Sequence, residues 1–179
     1  MNVTVYLGAS EGNDPSFSTA AYELGAWIAR VGHTLVYGGS KVGLMGKLAG
    51  GALEAGGDVI GVEPQFFIDA CVQYDNLTQL IVTPDMTTRK AKMIELGDAF
   101  IAFPGGTGTL EEIAEVASKL SLGHLDVPCI FYNLNGYYDD LESFFKHMID
   151  CGLSTPERQR RIHFARSLEE RGALVGASP

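Results

Sequence analysis

The stretch Ala99–Leu120 reads AFIAFPGGTGTLEEIAEVASKL, an apolar run followed by a glycine-rich turn and a helix-length segment. The apolar run predicts a strand over Ala99–Phe103, and the spacing of apolar residues after the turn predicts a helix over Thr109–Leu120. Pro104–Thr109 joins the two. The stretch therefore predicts a strand–loop–helix unit of an α/β protein.

The same alternation extends in both directions from this unit. Further strands are predicted at Val3–Leu7, Thr34–Tyr37, Val59–Val62, Leu80–Val82 and Cys129–Tyr132, and further helices at Ser16–Val31, about Leu44–Ala55, Met86–Leu96 and Tyr138–Ile149. Pro64–Asn76 is predicted to be a loop. In the tail from Ser154 we expect a short helix, a strand at Ile162–Ala165 and a last helix from Ser167. The pattern predicts a doubly wound parallel sheet flanked by helices, and 179 residues without a linker favour a single domain over 1–179.

The composition excludes several classes of function. The formal net charge of −9 disfavours nucleic acid and anionic membranes as partners, because both require a basic surface. The run Arg158, Arg160, Arg161 is typical of a solvated helix face. Cys71, Cys129 and Cys151 are widely spaced, which favours a reduced cytoplasmic compartment. We expect neither a signal peptide nor a membrane span.

Three small-residue segments directly follow predicted strands: Gly8-Ala9-Ser10, Gly38-Gly39-Ser40 and Pro104-Gly105-Gly106. The carboxyl ends of parallel strands meet at one edge of a sheet, and ligands of such sheets bind beyond that edge. The three segments are therefore expected to converge on one binding site.

The loop Pro104–Thr109 has the composition of a phosphate-binding site. Gly105, Gly106 and Gly108 allow a ligand to approach the backbone closely, and the following helix offers unpaired N–H groups with a partial positive charge. Thr107 and Thr109 could add hydroxyl donors. A simple tight turn remains the alternative, since Glu111 stands at the third glycine position of the Rossmann pattern and the chain has no GxxxxGK[ST] sequence.

Gly38–Gly46 is a second glycine-rich junction between a strand and a helix. Within it, Lys41 is either a phosphate partner or a solvated loop residue.

Arg89 and Glu112 are candidates for a charged site at the same edge. Arg89 borders the apolar stripe of its helix and needs an anionic partner, which could also be a structural one such as Glu95 or Asp98. Lys90, on the other flank, has the position of a surface residue. The helical wheel does not separate Glu112 from Glu111 or Glu115. Each of the two candidates nevertheless opens a helix after a neighbouring strand, which predicts a shared cleft.

Three motifs in these segments are similar to those of one known family. Pro104–Glu112 matches PGGxGTxxE, Met86–Met93 resembles MHxRKxxM with Thr87 in place of the His, and Gly38–Gly46 resembles a GGSxxGLMG loop. These are motifs of the Lonely Guy family of cytokinin riboside 5'-monophosphate phosphoribohydrolases. Members are often labelled lysine decarboxylases, a label that does not fit here, since nothing resembles a pyridoxal phosphate enzyme.

The resemblance implies a Rossmann-like fold and a homodimer with active sites near the subunit interface. It implies hydrolysis of the N-glycosidic bond of a nucleoside 5'-monophosphate by Arg89 and Glu112, without metal or cofactor. The expected substrate-binding residues are Ser10, Gly39, Ser40, Lys90, Met93, Gly105, Gly106, Thr107, Gly108 and Thr109. The alternative is a binding protein like the molybdenum cofactor carriers, which hold a phosphorylated pterin without turnover and have no need of the Arg–Glu pair.

Overall fold

A computed structural model describes residues 1–167 and 170 of the chain. The strands are β1 Asn2–Tyr6, β2 Thr34–Tyr37, β3 Val59–Pro64, β4 Gln79–Thr83, β5 Ala99–Ala102, β6 Cys129–Tyr132 and β7 Ile162–Ala165. The helices are α1 Ser16–Arg30, α2 Gly43–Glu54, α3 Gln65–Asp69, α4 Met86–Leu96, α5 Thr107–Ser121 and α6 Asp139–Asp150.

The strands form one parallel sheet in the order β4-β3-β2-β1-β5-β6-β7. From β1 the chain moves outward in one direction through β2, β3 and β4, and then returns to the other side of β1 with β5. Val3 pairs with Ala99 and Tyr6 with Ala102 across this junction. The crevice between β1 and β5 is the topological switch point, where ligands of doubly wound sheets bind. The predicted fold class is confirmed.

The two faces of the sheet carry different helices, because successive strand residues point to opposite sides. Val3 and Val5 of β1 pack with α1 and α2 in one core cluster. Tyr6, the next residue after Val5, packs with α4 and α5 in the other cluster. The first turns of α2, α4 and α5 therefore border the carboxyl edge from both faces.

Several elements begin or end one or two residues from their predicted bounds, and three differences affect the segment after β3, the start of α5 and the tail. A short helix, α3, lies inside the predicted loop Pro64–Asn76, because five residues are too few to show a helical period. Helix α5 begins at Thr107 and not at Thr109. The segment from Ser154 to Arg161 forms hydrogen-bonded turns instead of the predicted short helix. The strand Ile162–Ala165 is confirmed, and the predicted last helix from Ser167 lies outside the described residues.

Across residues 1–167 and 170, no helix is long and apolar enough to cross a membrane.

Candidate active site

A cleft of about 530 Å³ opens at the carboxyl edge of the sheet. Its floor and walls come from the loops after β1, β2, β3 and β5 and from the first turns of α4 and α5. Eight of the predicted site residues line it: Ser10, Ser40, Arg89, Gly106, Thr107, Gly108, Thr109 and Glu112. The convergence expected from the three small-residue segments is therefore present.

The N-terminus of α5 supplies the positive potential of the cleft. Gly106 caps the helix with an extended backbone and without a side-chain capping bond. The first amides of a helix have no intrahelical acceptor, and here those of Thr107, Gly108 and Thr109 belong to that class. Thr107 and Gly108 are exposed, whereas Thr109 is buried. A phosphate in the cleft would meet unpaired N–H groups and the positive end of the helix dipole.

Two tyrosines that precede α6 fix the loop that leads into α5. The Tyr137 hydroxyl donates to the carbonyl of Gly105 at 2.6 Å, and the buried Tyr138 hydroxyl donates to the carbonyl of Phe103 at 2.9 Å. The Gly8 amide, at the end of β1, donates to the carbonyl of Pro104 at 3.3 Å. The loop is thus held from both sides in the conformation that presents its amides.

Gly105 leaves no room for a side chain, and Gly105→Ala is expected to disturb the loop. A Cβ atom there would meet the Thr109 hydroxyl and would lie 2.8 Å from the Gly8 amide nitrogen. We expect a loss of about 1–3 kcal/mol in the free energy of unfolding, as for other overpacked sites, and weaker binding of AMP. Urea unfolding and calorimetric titration measure the two effects.

Gly108→Ala is the matched control for stability, because a Cβ at Gly108 meets no atom within 4 Å. This variant is expected to unfold at the same urea concentration as the wild-type protein or a higher one. Equal stability of the two variants would contradict the tight packing at Gly105.

The second glycine loop is tied to the segment that follows α3. The Ser40 hydroxyl donates to the carbonyl of Val72 and accepts from the Val42 amide, at 3.2 and 3.1 Å. Gly39 has a φ of +88°, which favours glycine, and its carbonyl accepts from the Tyr74 amide. Ser40 lines the cleft, but its hydroxyl is engaged in holding the loop.

Arg89 and Glu112 form an ion pair inside the cleft, with 2.5 Å between Arg89 Nη1 and Glu112 Oε1. Both side chains are about 90% buried. Arg89 Nε also donates to the carbonyl of Val62 at 3.1 Å. Gly38 makes room for the guanidinium, since a Cβ atom on Gly38 would collide with Arg89 Nη2. The partner of Arg89 is thus neither Glu95 nor Asp98, the structural alternatives considered from the sequence.

The environment of the pair is unusual for charged groups. Burial raises the pKa of the Glu112 carboxyl, and the Arg89 guanidinium opposes that rise. Beneath the pair lies Tyr6, whose pKa burial raises far above its ordinary value, with a further contribution from the Glu112 carboxylate. The phenol is therefore neutral at physiological pH. A carboxylate that is about 90% buried and held by one arginine can stabilise a positive charge that develops next to it.

Glu63 is a cleft residue that the sequence reasoning did not identify. It lies at the end of β3, is 1% exposed, and lines the cleft together with Arg89. Its Oε2 atom is buried and finds no hydrogen-bond partner in the described part of the chain. Burial raises the pKa of this carboxyl to about 7, and Arg89 opposes the rise. An acidic residue directly after a buried strand was the signal in the sequence that could have revealed it.

The side of the cleft near β2 and β3 is apolar. Val42 and Met45 come from the second glycine loop and α2, Phe67 from α3, Val72 from the segment after α3, and Met86 from the start of α4. Flat apolar rings fit such a wall better than charged groups do. One end of the cleft is therefore suited to an anion and the other to an aromatic ring.

Some predicted binding residues lie outside the cleft. Lys90 pairs with Glu111, lies 3.9 Å from Glu115 and is not one of the residues that line the cleft. Met93 is completely buried in the core cluster under α4 and α5. Thr87, which stands where the related motif has His, is exposed in the first turn of α4.

Neither Lys41 nor the neighbouring side chains of His147 and Cys151 line the cleft. Lys41 lies 3.9 Å from Asp75 on the surface. His147 and Cys151 contact each other at 3.4 Å on exposed α6, and the described residues contain no group of three or more possible metal ligands.

Comparisons with known proteins agree with the motifs in the sequence. A family model described as "Possible lysine decarboxylase" matches residues 45–173. The chain is 44% identical to the cytokinin riboside 5'-monophosphate phosphoribohydrolase of Rhodococcoides fascians, over 97% of this chain and 87% of that protein. It is 38% identical to an enzyme of the same name from Arabidopsis thaliana, over 94% of this chain and 79% of that protein.

Solved structures with a similar fold include carriers of the molybdenum cofactor. The molybdenum cofactor binding protein of Rippkaea orientalis has a TM-score of 0.73 and 29% identity, over 97% of this chain and 94% of that one. The Moco carrier protein of Chlamydomonas reinhardtii has a TM-score of 0.74 and 25% identity, over the same shares. The family model matches most of this chain, and the chain is more similar in sequence to the phosphoribohydrolases than to the molybdenum cofactor carriers. These findings distinguish between the two groups of relatives. The chain belongs to the Lonely Guy family, whose model bears the lysine decarboxylase description.

Proposed function

We propose that this protein hydrolyses the N-glycosidic bond of nucleoside 5'-monophosphates, including AMP and cytokinin riboside 5'-monophosphates, to free base and ribose 5-phosphate. The observation that carries the proposal is the buried Arg89–Glu112 pair beside the N-terminus of α5. A phosphate site, a held carboxylate and an apolar wall share one cleft. These are the three features that a phosphorylated nucleoside and its cleavage require.

The phosphate binds at the start of α5, between the loops after β1 and β5. The amides of Thr107, Gly108 and Thr109 donate to the phosphate oxygens, with the Ser10 hydroxyl on the opposite side. Local donors are needed here because the whole chain carries a net charge of −9 and repels anions at long range. Anchoring the phosphate fixes the ribose over the Arg89–Glu112 pair, which lowers the entropic cost of reaction.

Glu112 acts on the sugar. As the bond between C1' and the base nitrogen breaks, its electron pair leaves with the base and the ribose becomes oxocarbenium-like. The Glu112 carboxylate stabilises that positive charge and takes a proton from the water that attacks C1'. Arg89 keeps Glu112 ionised and oriented, and its Nη2, which lies beside Gly38 of the cleft lining, holds the nucleotide.

The test is a panel of substrates with separation of free base from nucleotide. AMP and N6-isopentenyl-AMP are expected to yield free base, whereas adenosine, which lacks the phosphate, is expected to react far more slowly. Equal rates for adenosine and AMP would contradict the assigned phosphate site. The relative rates of AMP and N6-isopentenyl-AMP measure whether the apolar wall favours a cytokinin.

A carrier function is the second candidate, and the likeness to molybdenum cofactor carriers favours it. Tight binding of a phosphorylated pterin together with no release of base from any nucleotide would support this function. A carrier gains nothing from a carboxylate and an arginine buried against each other, because desolvation of the two charges opposes folding. The pair therefore favours the hydrolase.

We also propose a cytoplasmic homodimer in which the whole chain acts as one nucleotide-binding domain, without nucleic acid as a partner. Phe67 and Met86, which line the cleft, are exposed apolar side chains, and so are Phe66, Val82 and Leu110. Contiguous exposed apolar side chains are typical of interfaces. Sedimentation velocity is expected to give about twice the monomer mass of 19.2 kDa. A monomer at micromolar concentration would contradict the dimer.

A further inference from the structure

Two carboxyl groups reach the cleft from opposite faces of the sheet. Glu112 comes from α5, on the face that also carries α4. Val62 packs on that same face, so that Glu63, the next residue of the strand, points to the other side. There the Glu63 side chain lies against Gly39 and lines the cleft. A glycosidic bond between them would be flanked by a carboxyl on each side.

Arg89 lies between the two carboxyl groups, and its hydrogen bonds distinguish one from the other. Its Nη1 donates to Glu112, while its Nε donates to the carbonyl of Val62 rather than to the adjacent Glu63 carboxyl. Glu112 therefore has a hydrogen-bonded ion-pair partner, whereas Oε2 of Glu63 has no hydrogen-bond partner among the described residues. Paired carboxyls in unlike environments are the arrangement from which acid and base roles arise in glycoside hydrolysis.

The order of the strands places Glu63 on the side of the base. The phosphate site lies at β1 and β5, and β3 is two strands away from β1, on the side opposite to β5. Neighbouring strands are about 4.8 Å apart, so the end of β3 lies roughly 10 Å from the end of β1. This separation is comparable with that between the phosphate and the ring of a nucleotide. Met45, Phe67 and Val72 provide the apolar wall on the same side.

We propose that Glu63 is the general acid that protonates the departing base. The inference rests on the proposed phosphoribohydrolase function and deepens it. Glu63 in its carboxylic acid form donates its proton to a ring nitrogen of the base as the C1'–N bond breaks. The base thus leaves as a neutral molecule, Glu63 becomes a carboxylate, and Glu112 holds the proton of the attacking water. Exchange with solvent restores both groups.

The surroundings of Glu63 allow this role near neutral pH. Burial raises the pKa of the carboxyl to about 7, and the positive charge of Arg89, on α4, opposes the rise. Tyr37 of β2 also interacts with Glu63, and it is neutral because burial raises its pKa far above the ordinary value. The acid form is present below pH 7 and is lost as the pH rises through that value. The value of kcat/KM for AMP is therefore expected to fall above about pH 7.

The test compares Glu63→Gln with the wild-type protein on two substrates. AMP needs protonation of its leaving group, whereas p-nitrophenyl β-ribofuranoside 5-phosphate releases a phenolate that leaves without a proton. For AMP the variant is expected to lose about 10²-fold or more in kcat, together with the alkaline fall of kcat/KM. For the nitrophenyl substrate we expect little change. Glu95→Gln, on the exposed part of α4, is the control for removal of a charge and is expected to leave both activities unchanged.

The remaining outcomes each overturn the proposal. Equal losses of activity on the two substrates would indicate that Glu63 binds the ribose or stabilises the fold. An unchanged rate of AMP hydrolysis would show that Glu63 takes no part in the reaction. Release of neither base nor nitrophenolate by the wild-type protein would contradict the phosphoribohydrolase function itself, and the proposal with it. Folding is checked separately, because Gln replaces a buried carboxyl without a partner and the melting temperature at pH 8 is expected to be no lower than that of the wild-type protein.

Discussion

Glu112→Gln is expected to reduce kcat for release of adenine from AMP by about 10²- to 10⁴-fold. The amide keeps the shape of the side chain but carries no charge to stabilise the sugar cation and accepts no proton from water. KM is expected to change little, because the lost interaction forms in the transition state and the phosphate site at the start of α5 is intact. Steady-state kinetics on AMP, with free adenine separated by chromatography, measures both parameters.

Glu115→Gln is the matched control, since Glu115 lies one turn further along α5 and its nearest cations are Lys119 and Lys90 at 3.7 and 3.9 Å. It is expected to retain the wild-type kcat. A Glu112→Gln variant with full activity, or a Glu115→Gln variant that is equally inactive, would contradict the role assigned to Glu112.

Arg89→Ala is expected to lower the free energy of unfolding by about 3–5 kcal/mol at pH 7.5. The change removes the only ion-pair partner that the described residues offer to the Glu112 carboxylate and leaves a charge that is 8% exposed. It also removes the donor to the carbonyl of Val62. Urea unfolding monitored by circular dichroism gives the free energy.

The pH dependence of this loss of stability is expected to follow the protonation of the Glu112 carboxyl. Removal of Arg89 takes away the largest influence that opposes the rise that burial causes in the pKa of Glu112, so the variant takes up a proton at higher pH than the wild-type protein. As the pH falls the carboxyl becomes neutral and the penalty disappears, so the difference between variant and wild type is expected to shrink from pH 7.5 to pH 5. The double variant Arg89→Ala/Glu112→Gln is expected to be less destabilised than the sum of the single changes. Additive losses that do not vary with pH would exclude a coupled buried pair.

Most of the fold could be predicted from the sequence because the longer helices and the apolar strands each carry their own signal. Apolar runs such as Ala99–Ala102 are bounded by glycine or proline, and α1 and α5 have long amphipathic patterns. Short elements gave weak signals. α3 has five residues, fewer than two helical turns, and appeared in the sequence only as an irregular segment.

The site could be predicted only in part. Three small-residue segments after strands indicated the edge of the sheet, and the family motif singled out Glu112 from its helical neighbours. Burial makes the same distinction physically, since Glu112 is 8% exposed whereas Glu111 is exposed and pairs with Lys90. The helical period could not show this, because the depth of a cleft depends on the loops from other strands.

Glu63 and the two tyrosines near α6 show what local patterns leave out. Tyr138 and Phe103 are far apart in the sequence, and only the sheet order brings the hydroxyl to the carbonyl. The sequence places Glu63 at the end of β3, but only the folded chain shows that Gly39 and Arg89 lie beside it. The reactive groups of this cleft are brought together by contacts between segments that are far apart in the sequence.

A single-turnover experiment tests the central claim most directly. The wild-type protein, in excess over AMP labelled in the ribose, is mixed and quenched at increasing times, and AMP and ribose 5-phosphate are separated. We expect all the label to appear in ribose 5-phosphate with one equivalent of adenine, and we expect Glu112→Gln to bind the nucleotide while leaving it intact. Wild-type protein that binds AMP and returns it unchanged would contradict the phosphoribohydrolase function.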